Sequence, residues 1–174
     1  MFTELKVLKC IVLIGAILST HPILSKTVIH AGNLIDGISP GSSQNMSIII
    51  EENKIIRVDK GFTEPDIEDT YIDLGTYTLL PGLIDMHVHL SGEHSESSST
   101  EKFKLSEADY TIRTVINAEK TLLAGFTSVR NLGDTDLVTI SVRNAINRED
   151  IPGPRIFTSG KTISSTGGHG DSTN

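Results

Sequence analysis

His87 and His89 stand two residues apart in "LIDMHVHL", residues 83–90, a stretch that is otherwise apolar except for Asp85. In an extended strand, residues two apart point to the same face. The even positions Ile84, Met86, Val88 and Leu90 are apolar, and the odd positions Asp85, His87 and His89 are polar. One face is therefore expected to pack against helices, while the other displays an acid and two imidazoles. A parallel strand inside an α/β fold is normally apolar on both faces, so the imidazoles need a reason. Neutral imidazole is a good ligand for zinc and related cations, and a pair at this spacing can converge on one ion. The competing reading is two core histidines satisfied by backbone carbonyls. The register of the pair, the neighbouring Asp85 and the Pro81-Gly82 lead-in favour metal. Cys10 is the only cysteine, which excludes Cys-rich zinc sites and leaves His and carboxylate as the available donors.

A second candidate is His169 in "TGGHGD", where flanking glycines allow backbone and ligand to approach closely. It is expected to contact a carbonyl or carboxylate of a substrate; the alternative is an exposed histidine in a Gly-rich turn. Other stretches carry less. "SGKT" at 159–162 resembles a phosphate loop, but the glycine required five residues before Gly160 is Arg155. His94 in "GEHSESSST" reads as part of a solvated loop, and "NMS" at 45–47 as a chance glycosylation triplet. His21 and His30 have no neighbours that point to chemistry.

The elements around the histidines give an α/β pattern. After residues 83–90, "SEADYTIRTVINAEKTLLAG" reads as a helix, with Ser106 as N-cap, Asp109 three residues on, and Gly125 as its stop. Ile112, Val115, Ile116, Leu122 and Leu123 are its expected buried face. "FTSVR" is a strand and "DTDLVTISVRNAIN" a second helix, with Leu137, Val138, Val142, Ala145 and Ile146 inward. "RIFTSG" is a further strand. The order β-α-β-α-β calls for parallel strands with helical crossovers, as in a barrel or a doubly wound sheet. In a parallel barrel the C-terminal strand ends, where the histidines lie, hold the active site.

Residues 26–82 read differently, as short strands and turns. "MSIIIEENKIIRV" is a hairpin around Glu52 and Asn53, and "YIDLGTYTLL" is a strand, a Gly-centred turn and another strand. Residues 1–25 have a basic start with Lys6 and Lys9, a short apolar core and a polar stretch, the order of a secretory signal peptide; the alternative is an N-terminal core strand or helix. The apolar core is shorter than the roughly 20 residues of a membrane-spanning helix. A periplasmic or secreted protein, with no membrane association after cleavage, is expected. The net charge of -7 argues against nucleic acid or an anionic membrane as partner. Hydrophobic content of 37 % supports a packed core.

"LLPGLIDMHVHL" resembles the amidohydrolase superfamily of metal-dependent hydrolases. "AEKTLLAGFTSVRNLGD" and "IPGPRIFTSGKTISSTGGHGD" are similar to its imidazolonepropionase-like and Xaa-Pro dipeptidase branch. Asn131 departs from the pattern, which more often has an acid there. The resemblance implies that residues 26–82 form the N-terminal part of a small β-sandwich. It implies that residues 83–174 form the first three strands of a (β/α)8 TIM-type barrel. One or two divalent metal ions, zinc foremost, would activate a water to hydrolyse an amide or peptide-like C–N bond of a small-molecule or dipeptide-like substrate. His87 and His89 would bind the more buried ion, and Asp85 would be a supporting acid. The family's carboxylated lysine, two further histidines and general-base aspartate lie on later strands, beyond Asn174, so no catalytic residue is assignable. Two alternatives follow: a truncated, inactive amidohydrolase-like fragment, or a small secreted binding module.

Overall fold

A computed structural model of the chain describes residues 25–92, 100, 103–134, 136–168 and 171. The expected signal peptide, His21, His94 and His169 lie outside the described residues apart from Ser25. The chain divides into two units, the first ending at Leu79 and the second starting at Leu80.

The first unit is a four-stranded sheet of β1 (Thr27–Leu34), β2 (Ser43–Glu51), β3 (Lys54–Lys60) and β4 (Thr70–Leu79), in the order β3-β2-β1-β4. β1–β2 and β2–β3 are antiparallel, and β1–β4 is parallel. The hairpin between β2 and β3 turns at Glu52 and Asn53, with φ 47° and 62°. Two consecutive left-handed residues give the turn whose twist matches that of the strands. The expected break at Gly75 is instead an irregularity within one strand: β4 runs through, and its register against β1 shifts between Ala31 and Asn33. Gly32 meets Gly75 backbone to backbone there, and a Cβ on Gly32 would overlap the Gly75 carbonyl. Val28 and Ile49 are buried on one face of the sheet and Ala31 and Ile48 on the other, since neighbours along a strand alternate. His30 is buried as a structural residue. Its Nε2 donates to the Thr63 carbonyl at 2.9 Å, so Nδ1 accepts from the Tyr71 hydroxyl at 3.0 Å, and its ring stacks on Phe62.

The second unit alternates as expected: β5 (Leu83–Val88), α1 (Glu107–Leu123), β6 (Phe126–Asn131), α2 (Val138–Asn147) and β7 (Arg155–Thr158). The strands form a parallel sheet in the order β5-β6-β7. Leu90, Ala118, Val129, Val142 and Ile156 make the core, with Val88, Val115, Phe126, Ile146 and Ile151 packed against it. Ser106 caps α1 through a capping box with Asp109, and Gly125, at φ 95°, ends the turn that follows.

Three expectations change. The buried face of α1 is Tyr110, Thr114 and Ala118, while Ile112, Ile116 and Leu123 are exposed. The rotation brings small Thr114 and Ala118 against the sheet, where close approach is possible. α2 begins at Val138 rather than Asp134, because the Asp134 backbone pairs with the β7 side and its carboxylate serves other donors. On β5 the even positions split: Val88 and Leu90 pack inward, but Ile84 and Met86 are 64 % and 53 % exposed.

Candidate functional site

β5 ends in a bulge that the sequence pattern does not reveal. Asp85 pairs with Val129 and Val88 with Asn131, so β5 uses one residue more than β6 over this interval. Bulges of this kind re-aim side chains and leave backbone groups unpaired. Here side chains take up those groups. The Asp85 carboxylate accepts from the His87 N–H at 2.9 Å, and the Arg130 guanidinium donates to the Met86 carbonyl at 2.7 Å. Asp85 is therefore turned back onto its own strand, where it shapes the bulge.

The two imidazoles come together beyond it. The His87 and His89 rings lie 5.4 Å apart, nearly edge to face, and both are exposed. His89 Nδ1 lies 2.6 Å from the Gly133 carbonyl oxygen. A carbonyl only accepts, so Nδ1 carries the proton and Nε2 keeps its lone pair. This bond satisfies half of the core-histidine alternative, yet it is also the way ligating histidines are oriented for a metal. The pair thus fits one edge of a divalent-cation site. Among the described residues, no three His, Cys, Asp or Glu side chains converge.

Behind the histidines lies a buried polar cluster. Asn131, 1 % exposed, accepts from the Leu90 N–H at 2.8 Å and donates to the Asp134 carboxylate at 2.7 Å and to Thr158 Oγ1 at 3.4 Å. Asp134 in turn accepts from the Ser91 hydroxyl at 2.7 Å, from the Ser91 N–H at 3.3 Å, and from Thr139 Oγ1. Asn117 Nδ2 donates to the Leu90 carbonyl at 2.9 Å. The cluster joins the C-terminal ends of all three strands to the first turn of α2. The sequence pattern puts Asp134 at the start of a helix and gives it no part in a site. Its one cue is the polar "NLGD" closing an apolar strand.

Residues 78–173 match the amidohydrolase family, and the chain belongs to it. It is 32 % identical over 151 residues to ochratoxinase from Aspergillus niger, covering 83 % of this chain and 30 % of ochratoxinase. Its fold is similar to that of a Xaa-Pro dipeptidase crystallised with methionine in the active site. That match has 49 % identity and a TM-score of 0.80, over 86 % of this chain and 37 % of the dipeptidase. A prolidase complexed with N-methylphosphonate-L-proline is similar at 30 % identity and a TM-score of 0.71, over 83 % of this chain and 34 % of the prolidase. The chain spans about a third of the length of each of these relatives.

Proposed function

We propose that the protein carrying this chain is a metal-dependent amidohydrolase that cleaves the C–N bond of a dipeptide-like or related small amide. The observation that carries this reading is the histidine pair at the C-terminal end of β5, with the His89 lone pair left on Nε2 by the Gly133 carbonyl. Family membership and the dipeptidase, prolidase and ochratoxinase relatives support it. In this reading β5, β6 and β7 are the first three strands of a (β/α)8 barrel, and residues 26–82 contribute to a small β-sandwich. The parallel order and alternating helices support the barrel. The basic, apolar, polar order of residues 1–25 supports a signal peptide and a periplasmic or secreted protein.

His87 and His89 hold the more buried of one or two divalent ions, with zinc expected. A cation bound there supplies Lewis acidity toward a carbonyl and brings the pKa of a water down toward ~7. Asp85 fixes the backbone at His87, and His169 contacts the substrate's carbonyl or carboxylate. The two imidazoles supply half of a tetrahedral zinc shell. The 174 residues by themselves are accordingly expected to be inactive, whereas the protein with a full ligand set hydrolyses dipeptides.

The test, on the protein with its full ligand set, is elemental analysis after gel filtration, joined to a dipeptide hydrolysis panel that includes Xaa-Pro substrates. Replacing His87 and His89 together by Asn is expected to remove metal and lower kcat/KM by more than about 100-fold. A double variant that keeps both its metal and its rate would refute the reading. His169→Asn is expected to raise KM or lower kcat, and no change in either removes that residue from the site.

A further inference from the structure

We infer that Asn131 and Asp134 are positioning residues: together they form a clasp that sets the tautomer and direction of the His89 imidazole through the carbonyl of Gly133, which lies between them. The inference deepens the metal reading above, since its purpose is to hold Nε2 ready for a cation.

Three observations carry it. First, the position of Gly133 admits no side chain. Its φ is 132°, and a Cβ there would overlap the backbone of Thr162. Second, the backbone on each side of Gly133 is pinned. Leu132 N–H donates to the Val88 carbonyl at 3.1 Å, and Asp134 N–H donates to the Gly160 carbonyl at 3.0 Å. Third, the two flanking side chains grip the segment that carries His89. Asn131 holds the Leu90 N–H and Asp134 holds Ser91, the two residues that follow the histidine. Donor and acceptor of the His89–Gly133 bond are thus fixed by the same pair. The Asn131–Asp134 bond closes the loop between them.

The polarity of that bond gives the test. Asp134→Asn must keep its oxygen toward Ser91, which donates both N–H and O–H. Its amide then faces the amide of Asn131, donor against donor. The double variant Asn131→Asp with Asp134→Asn reverses the polarity and restores the bond, because the carboxylate then at position 131 can still accept from the Leu90 N–H.

Two readouts apply, both on the protein with its full ligand set. Long-range proton–nitrogen correlation spectra of the metal-free protein report the His89 tautomer. Competition with a chromogenic chelator reports zinc affinity. Asp134→Asn is expected to populate the Nε2–H tautomer and weaken zinc binding by about 10- to 100-fold, and the double variant to restore both. If Asp134→Asn lowers the melting temperature but leaves tautomer and affinity unchanged, the pair is merely structural and the inference fails. Failure of the double variant to restore either readout overturns it as well. If the wild type binds no zinc while Asp134→Asn still shifts the tautomer, the metal reading falls and the clasp stands. Should Asp134→Asn not fold, Thr139→Val and Thr139→Ser replace it, since Thr139 donates to Asp134. The valine variant is expected to shift the tautomer and the serine variant to keep it; a valine variant with the native tautomer overturns the clasp.

Discussion

At the scale of single residues, Gly133 is the position most open to test. Its backbone conformation disfavours any side chain, and the space a Cβ needs is taken by Thr162. Gly133→Ala is expected to destabilise the fold by more than about 1 kcal/mol, measured by urea unfolding, because strain and overlap act together. The histidine pair is legible in the sequence because period two is a local property of a strand. The tautomer of His89 is not, because its acceptor lies 44 residues away. The role of Asp85 is likewise hidden: only the bulge in register with β6 shows that its carboxylate serves the His87 N–H.

At the scale of elements, α1 shows what local sequence does and does not encode. Its start is legible because the Ser106 and Asp109 bonds close within one turn. Its buried face is not, because the apolar stripe through Ile112, Ile116 and Leu123 faces away from the sheet that Ala118 approaches. Ser106→Ala is expected to cost about 1 kcal/mol of stability, again by urea unfolding. The Ser106 hydroxyl, then the Ser106 N–H and the charge of Arg113, hold the Asp109 carboxyl below its usual value of 3.8. A carboxyl depressed in the folded state stabilises fully above its unfolded pKa and loses that contribution as pH falls through the folded value. The Ser106→Ala deficit is therefore expected to shrink below about pH 4. The continuous β4 makes the same point: Gly75 has the local signature of a turn, and only pairing with β1 shows a strand that absorbs the irregularity.

At the scale of the whole molecule, each unit has its own sheet, and the parallel sheet presents apolar side chains to solvent. Leu83, Ile84, Met86 and Phe157 are all exposed. Exposed apolar surface beside open strand edges favours association. The 174 residues alone are expected to elute from gel filtration above their 18.8 kDa mass and to bind a hydrophobic dye. Monodisperse elution at that mass, without dye binding, would show that these faces are tolerated in water. The clasp behind the histidines has a consequence in time as well as in space. Among the described residues, every contact that aims His89 lies between Val88 and Thr162. A ribosome delivers the chain from its N-terminus, and domains fold as they emerge. All of these groups are thus out of the exit tunnel once Thr162 has left it, and the imidazole is aimed when the domain that holds them folds as a unit.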